Sequence, residues 1–179
     1  LSTSTATGSQ QRLVTATDRR PESERLRSRG WHVTMFEFRE RHIVEGLAKR
    51  MRAAAKADDP FAAINQCQTH MLEAARAHVD RVVLEAFIGA IEDCDDDYVA
   101  ALLSRICDLF ALATIEANRA WFLEHEAFDS GRSKAITAEV DKLCGELRPK
   151  ARELAEGLGV PDAWLTLPRE AIPPLIPRR

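Results

Sequence analysis

A run of acidic residues near the middle of the chain is the first candidate for chemistry. The stretch 92-EDCDDDY-98 holds five carboxylates and one cysteine within seven residues. Asp93, Asp95 and Asp97 fall at positions one, three and five of a calcium-binding loop, where carboxylate oxygens serve as ligands. The stretch therefore has to be tested as a metal site.

The rest of the calcium loop is missing from the sequence. Tyr98 stands where the sharp turn needs a glycine, and Ser104 stands where the bidentate glutamate belongs. Acids are also favoured just before a helix, because carboxylates accept hydrogen bonds from the free N–H groups of its first turn. We therefore predict a solvated turn in which Asp95 or Asp96 caps the next helix, and no metal.

Histidines and cysteines provide two more candidate sites. His70 and His78 lie two turns apart on one side of a predicted helix and could share a metal ion, but no Glu is followed three residues later by His, as in di-iron bundles. We expect the pair to serve packing and hydrogen bonding. The cysteines lack the C-x-x-C spacing of zinc and redox sites. Buried, reduced thiols are expected at Cys67, Cys94, Cys107 and Cys144.

The sequence contains no recognisable catalytic pattern. It has no strand-turn-helix elbow to carry a nucleophile and no Gly-rich phosphate loop. Glu116, Glu124 and Glu126 are interpreted as charges on helix surfaces or at helix ends. We therefore assign no catalytic residue and no metal ligand, and we leave the cofactor-binding residues unassigned.

The composition predicts helices and one domain. Ala, Leu, Glu and Arg lose little on entering a helix and dominate the sequence, whereas aromatic residues make up only 6%. A chain of 179 residues can bury one sizeable core. Because 25 basic residues are balanced by 28 acidic ones, the chain has no field that attracts a phosphate backbone, and we expect no nucleic-acid partner.

Apolar residues spaced by three and four predict four long helices. The first spans about 31–57, and Asp59 and Pro60 cap and start a second helix that continues over 61–91. The third follows the acidic turn, and the fourth follows the loop FDSGRS. Pro149 should divide the fourth helix, because proline removes a backbone donor and its ring crowds the preceding turn.

Each helix is predicted to bury one apolar stripe. The second helix also carries apolar residues beyond its stripe, such as Val83 and Ile88, which predicts a surface that packs against another domain. The predicted stripes are Phe36, Ile43, Leu47, Met51 and Ala54 in the first helix, Phe61, Ile64, Met71, Ala75, Val79, Val82 and Phe87 in the second, Leu102, Leu103, Ile106, Leu109, Phe110, Ala113, Ala117 and Trp121 in the third, and Ile136, Val140, Leu143, Leu147, Ala151 and Leu154 in the fourth.

The predicted fold class is all-α. Short connections between long amphipathic helices favour an antiparallel four-helix up-and-down bundle, here over residues 31–160. Residues 1–30 lack apolar periodicity and are expected to form an extended linker, and residues 161–179 are expected to form an extended Pro-rich tail. No uninterrupted apolar run approaches the roughly 20 residues that span a bilayer, so we expect no membrane span.

Blocks as long as whole helices resemble a known family. The run 101-ALLSRICDLFALATIEANRAWFLEH-125 resembles the C-terminal α-helical domain of acyl-CoA oxidases, which belong to the acyl-CoA dehydrogenase-like flavoenzymes. Three further stretches agree in type and order: 36-FEFRERHIVEGLAKRM-51, 65-NQCQTHMLEAARAHVDRVVLEAF-87 and 143-LCGELRPKARELAEGLGVPDAWL-165. The similarity covers roughly residues 31–168.

The resemblance implies the C-terminal helical domain of a larger FAD-dependent enzyme. Such an oxidase converts a fatty acyl-CoA and O2 to a trans-2-enoyl-CoA and hydrogen peroxide in fatty-acid β-oxidation. Its flavin and its catalytic glutamate belong mainly to domains upstream of this segment, so no residue here inherits a catalytic role. The implied partners are the remaining domains of the same enzyme, a second subunit in a homodimer and the acyl-CoA substrate. The implied role of this segment is structural: it supports dimerisation and covers the active site.

Two features depart from the family pattern and keep alternatives open. The stretch 156-EGLGVPD-162 has Gly157 and Leu158 where the family has an aromatic helix end, and the chain ends in IPRR without an S-K-L type peroxisomal address. We therefore expect a bacterial cytoplasmic setting. The alternative functions are a free-standing helical interaction module without catalysis and a metal-dependent bundle enzyme that uses His70 and His78.

Overall fold

The computed structural model describes residues 22–160, and every regular element in that range is helical. The all-α prediction is therefore confirmed for this part of the chain, whereas the predicted Pro-rich tail lies outside the described residues. In chain order the α-helices are α1 Glu22–Leu26, α2 Arg29–Ala54, α3 Pro60–Asn65, α4 Gln68–Glu92, α5 Asp97–Ala117, α6 Arg119–Glu124, α7 Ser130–Leu147 and α8 Ala151–Gly157.

Local sequence signals set several helix ends. The Asp59 side chain accepts a hydrogen bond from Ala62 N at 3.0 Å, and Pro60 is the first residue of α3, as predicted. The second predicted helix, however, is interrupted. At the turn after α3, Cys67 N donates to Ile64 O at 2.9 Å, and this tight bond turns the buried Cys67 inward before α4 begins.

The chain divides into two units, Leu1–Cys144 and Gly145–Arg179. In the second unit α7 ends at Leu147, and a 3₁₀ turn over Arg148–Lys150 with Pro149 in its first positions precedes α8. The predicted division of the fourth helix at Pro149 is confirmed, because proline cannot donate the bond that would continue α7.

Six helices of the first unit contribute to one core. The long helices α2, α4, α5 and α7 are joined there by the short α1 and α6 and by the loop before α7. The antiparallel up-and-down order of the long helices stays a prediction. The buried members of the core are Leu26, Met35, Phe36, Leu84, Cys107, Ala111, Leu112, Ile115, Phe122, Phe128, Ile136 and Leu143.

The predicted core face of the second helix is largely wrong, and that of α5 is correct only in part. Phe61 of α3 and Val79 and Val82 of α4 are 82%, 57% and 44% exposed. In the predicted α5 stripe Leu102 is buried, whereas Leu109 and Phe110 are half-buried and pack against the core from its edge. Both helices carry a second apolar face, and that second face is the one that fills the core. Its buried residues are Ala74, Ala77 and Leu84 in α4 and Cys107, Asp108, Ala111, Leu112 and Ile115 in α5.

Helices α2 and α7 follow their predicted stripes more closely. Phe36 and Ala54 are buried in α2, and Ile136 and Leu143 are buried in α7. Sequence reasoning missed that α2 also buries two polar side chains, His32 and Arg39. Neither residue contributes to an apolar pattern, so periodicity gave no signal for them.

The segment predicted to be an extended linker contains a docked helix in its described part. Leu26, at the end of α1, is 1% exposed and belongs to the core. Arg27 Nε donates to the buried carboxylate of Glu139 on α7 at 2.6 Å, and the Arg132 guanidinium lies 4.8 Å from the centre of the Trp31 ring. The expectation of an extended chain over 1–30 is therefore wrong for residues 22–30.

The most apolar helix, α5, is a core helix with one buried thiol. It is long and apolar enough to pass a length-and-composition test for a membrane span, a test that core helices also pass. Cys107 is fully buried, and Arg29 of α2 reaches both Cys107 Sγ at 3.7 Å and Ser104 Oγ at 2.8 Å. Burial raises the pKa of this thiol, although the nearby guanidinium opposes the rise.

His32 fastens α1 to α2. Its ring is fully buried, and Nε2–H donates to the carbonyl oxygen of Leu26 at 2.6 Å, while Nδ1 makes no hydrogen bond within residues 22–160. Burial lowers the pKa of His32 from 6.5 to about 4, and the carbonyl bond offsets only part of this effect. His32 is therefore neutral near pH 7 and holds the end of α1 as an uncharged donor.

This pKa shift predicts a stability that depends on pH. Between the unfolded pKa of 6.5 and the folded pKa of about 4, only the unfolded chain takes up the proton, so stability is lost as the pH falls through this window. The expected fall in the free energy of unfolding between pH 7 and pH 5 is about 2 kcal/mol. Urea unfolding of the wild type and of His32→Gln, which keeps a donor but does not titrate there, measures the difference. Equal pH dependence in both chains would contradict it.

Candidate functional site

The acidic stretch is a helix start. The described chain leaves α4 after Glu92 and enters α5 at Asp97, and Asp96 Oδ1 accepts hydrogen bonds from Tyr98 N at 2.9 Å and Val99 N at 3.0 Å. Asp93 and Asp95 point into solvent. The prediction that Asp95 or Asp96 caps this helix is confirmed, with Asp96 as the cap.

The two candidate histidines on α4 have different surroundings. His78 Nδ1 lies 2.7 Å from Glu40 Oε1 on α2, and Glu40 also pairs with Arg81, while His70 is half-buried. Partial burial works to raise the pKa of Glu40, but the bonds from His78 and Arg81 outweigh it and hold the pKa below its ordinary value. Within residues 22–160 no group of three or more His, Cys, Asp or Glu side chains could hold a metal ion.

The three glutamates interpreted as surface charges differ from one another. Glu116 is half-buried and accepts a hydrogen bond from Thr137 Oγ1 at 2.6 Å, so it links α5 to α7 instead of lying on the surface. Glu124 is exposed at the end of α6, and Glu126 is exposed with φ 52° in the following turn. The surface interpretation is therefore wrong for Glu116 because Thr137 comes from a helix that is distant in sequence.

A buried arginine joins α2 to α4. Arg39 is 6% exposed, and its guanidinium lies 3.3 Å from Glu73 Oε2 and 3.4 Å from Asp80 Oδ2. Burial lowers the pKa of Arg39 and raises the pKa of Asp80, and their mutual attraction opposes both shifts. Taking either partner away would leave the other charge in a poorly solvated position.

An aromatic cluster between α2 and the end of α6 includes two histidines. The His125 ring stacks on Trp121 at 4.0 Å between centroids, and His42 approaches His125 edge-on at 4.3 Å. His125 Nδ1–H donates to the Trp121 carbonyl at 2.7 Å. Burial, and then the neighbouring His125, lowers the pKa of His42. Sequence reasoning missed this cluster because its members come from helices far apart in the chain.

The strongest candidate for a binding surface is the apolar face of α4 that does not fill the core. We call the six residues Leu72, Ala75, Val79, Val82, Ala86 and Gly89 the outer face of α4. Leu72 is 60% exposed, and of the remaining five only Gly89 is half-buried. A helix with apolar residues on both sides is normally buried on both sides. The outer face therefore has the character of a contact surface.

A second apolar surface lies beside it, between α4 and α5. An open groove of about 570 Å³ runs along the half-buried face of α5 and ends at three polar residues, Asp80, Thr114 and Asn118. Its apolar lining consists of the α5 residues that periodicity had assigned to the core together with Phe87 of α4. The lining residues are Phe87, Ile106, Leu109, Phe110, Ala113 and Ala117.

These surfaces support binding by apolar contact. Among the described residues, the candidate sites that were singled out for metal or acid-base chemistry act as a helix cap, an interhelical ion pair and an interhelical hydrogen bond. The outer face of α4, by contrast, stays largely exposed within residues 22–160, and the apolar residues of the groove are only partly covered by the core. The geometry therefore favours a domain that packs against another part of a protein.

The comparison with protein families agrees with this reading. Residues 31–166, about three quarters of the chain, match the family model described as acyl-CoA oxidase. The chain belongs to the acyl-CoA oxidase family. This finding confirms the resemblance carried by the four helix-long blocks of sequence.

Two of the named relatives are much longer than the region that matches this chain. An acyl-coenzyme A oxidase-like protein of Mus musculus is 30% identical over 138 residues, which are 76% of this chain and 22% of the relative. The peroxisomal acyl-coenzyme A oxidase 2 of Arabidopsis thaliana is 30% identical over 139 residues, 78% of this chain and 20% of the relative. This acyl-CoA oxidase family member thus spans about a fifth of the length of these relatives.

One relative is much shorter. A putative acyl-coenzyme A oxidase of Arabidopsis thaliana is 25% identical over 146 residues, which are 80% of this chain and 77% of the relative. The helical segment therefore makes up most of that acyl-CoA oxidase relative.

The expected bacterial cytoplasmic setting is wrong. The matching relatives come from animals, plants and yeast, and several plant and mammalian ones are named peroxisomal. The expectation relied on the sequence of the last residues, which is weak evidence because a segment of a longer chain need not end where the protein ends.

Replacing the helix cap tests the interpretation of the acidic stretch. Asp96→Ala should lower the free energy of unfolding by about 1 kcal/mol, because two N–H groups of α5 lose their acceptor. Asp95→Ala is the matched control and should change stability by less than about 0.5 kcal/mol. Chemical denaturation with and without calcium measures both effects. Stabilisation of the wild type by calcium would overturn the interpretation.

Two arginines that share one acid test the buried ion pair. Arg39→Ala should lower the free energy of unfolding by about 3 kcal/mol, because it leaves Asp80 and Glu73 without their buried partner. Arg76→Ala removes an exposed arginine from the same Glu73 and should cost less than about 0.5 kcal/mol. Chemical denaturation of both variants provides the comparison. If both variants lost a similar amount of unfolding free energy, solvent would screen the Arg39 pair as it does the exposed Arg76 pair.

Proposed function

We propose that this segment is the C-terminal helical domain of an FAD-dependent acyl-CoA oxidase. The whole enzyme would convert a fatty acyl-CoA and O2 to a trans-2-enoyl-CoA and hydrogen peroxide in fatty-acid β-oxidation. The observation that carries the proposal is the match of residues 31–166 to the acyl-CoA oxidase family, together with two relatives that are about five times as long as the matched region. The helices are proposed to form an antiparallel up-and-down bundle, consistent with the four-residue turn between α4 and α5.

The role proposed for the domain is to pack against the preceding domains and to cover the active site. The groove between α4 and α5 supports this role, because it leaves Ile106, Leu109 and Phe110 only half-buried in the absence of a neighbour. Half-buried apolar side chains in a row are stabilised when a second surface removes them from water. The groove is the surface that we assign to the preceding part of the same polypeptide.

The groove between α4 and α5 does not fit a flavin. A flavin diphosphate needs cations or a Gly-rich turn at a helix N-terminus. The groove, however, has the carboxylate of Asp80 at its polar end, and its described lining includes no cation. We therefore assign FAD to domains outside this segment, where it would accept the hydride of the substrate. The glutamate that removes the α-proton is likewise assigned upstream, and no residue of this chain is given a catalytic role.

A second candidate function is a free-standing helical interaction module without catalysis. The short Arabidopsis relative favours it, because 77% of that protein is covered by the same helical segment. In this case the exposed apolar faces would bind a separate protein. The two functions differ in the length of the natural polypeptide and in whether it carries a flavin.

The deciding measurement is the intact mass of the natural polypeptide that carries this segment, with flavin absorbance and peroxide release read on the same sample. The oxidase proposal expects a chain several times longer, a yellow protein and stoichiometric hydrogen peroxide from a fatty acyl-CoA. A colourless polypeptide of about this length that releases no peroxide would overturn the oxidase and support the interaction module.

A further inference from the structure

The outer face of α4 has the spacing of a coiled-coil contact. Its six residues follow one another at intervals of three and four, which is the spacing of the a and d positions of a heptad. They extend over about 26 Å of helix at 1.5 Å per residue. A contact surface this long, narrow and regular fits another helix better than it fits a loop or a sheet.

The same six residues are complementary to themselves in the antiparallel direction. If α4 meets a second α4 across a two-fold axis between Asp80 and Arg81, every position faces a position on the other helix. Leu72 then faces the partner's Gly89, Ala75 faces the partner's Ala86, and Val79 faces the partner's Val82. Each layer joins residues of compatible size, and the largest residue meets the smallest.

Gly89 is compatible with this register. It lies inside α4, where glycine is less favourable than alanine. A Cβ atom at this position would meet nothing within 4 Å in its own chain, so packing within residues 22–160 does not require a glycine here. In the antiparallel pair the missing side chain leaves room for the partner's Leu72.

The charges beside the outer face are compatible with the pairing. The antiparallel register brings Glu85 near the partner's His78 and Arg76 near the partner's Val83, so it places no two like charges opposite each other. His78 and Glu85 are both well exposed and can approach a second helix. Like charges facing each other across a helix pair would be destabilising, and this arrangement avoids them.

We propose that the outer face of α4 binds α4 of a second copy of this chain in an antiparallel, two-fold contact. The inference rests on the proposed function, since the resemblance to acyl-CoA oxidases also implies a homodimer, and it names the residues that would form part of the subunit contact. The groove between α4 and α5 is then left for the preceding domains of each chain. The two apolar surfaces thus have different occupants.

Disulfide cross-linking in the full natural polypeptide tests the register. Cys94 and Cys144 are first changed to serine, and Ala75→Cys and Ala86→Cys are introduced in separate chains. The mixture of the two variants should form a cross-linked dimer on oxidation, because these positions face each other. Neither variant should cross-link alone, because like positions are then about 16 Å apart, whereas a disulfide needs Cα atoms closer than about 7 Å. Cross-linking of Ala75→Cys alone, or no cross-link above that of the parent chain in which only Cys94 and Cys144 are replaced, would overturn the proposal.

A charge on the outer face tests its contribution to the dimer. Val79→Glu should raise the dimer dissociation constant roughly a hundredfold or more, because each dimer would bury two unpaired carboxylates. Phe61→Glu is the matched control, since Phe61 is 82% exposed on α3 and lies off the outer face, and it should leave dimerisation unchanged. Sedimentation of the natural polypeptide measures both. If Val79→Glu destabilises the fold but leaves the dimer dissociation constant unchanged, the outer face packs against the preceding domains. That result would overturn the proposal.

The two proposals can fail separately. A polypeptide that cross-links in the expected register but carries no flavin would refute the oxidase and keep the helix pair. A yellow, peroxide-forming enzyme that does not form the cross-link would support the oxidase and refute the helix pair.

Discussion

The structure depends on one constraint: α4 and α5 are each apolar on two faces, and the chain packs only one face of each into its own core. Ala77, Leu84 and Ile115 fill the interior, while on other sides of the same helices Val79 is 57% exposed and Leu109 is only half-buried. Each Å² of apolar surface that a contact removes from water contributes about 25 cal/mol of stabilisation, and this contribution is lost where the surface stays exposed. A helical unit built in this way gains stability from any contact that covers these faces.

The face that the chain does bury is held in register by polar contacts. Arg39 ties α2 to α4 through Glu73 and Asp80, and Glu40 adds a second link through His78. These pairs contribute little net energy once desolvation is counted, but they penalise any rotation of α4 that would move a charge away from its partner. Because α4 has two apolar faces, such pairs decide which of the faces points inward.

Sequence reasoning succeeded where the controlling chemistry is local. The helix caps Asp59 and Asp96 and the break at Pro149 each depend on a few neighbouring residues, so they could be predicted. The inward faces of α4 and α5 could not, because an apolar period does not say which of two apolar faces meets the core. Contacts such as Glu116 with Thr137 join residues that only the fold brings together, and they left no signal in the sequence.

The positions of the sulfur atoms have a consequence for chemical durability. Oxidants attack the thiolate, and burial both hides Cys107 from solvent and raises the pKa of its thiol. Cys144, by contrast, is exposed on α7, so the prediction of buried thiols is confirmed for Cys67 and Cys107 but is wrong for Cys144. Oxidative damage to cysteine in the described part of the chain would therefore begin at Cys144, and the sulfur that packs between α2 and α5 would be spared until the domain opened.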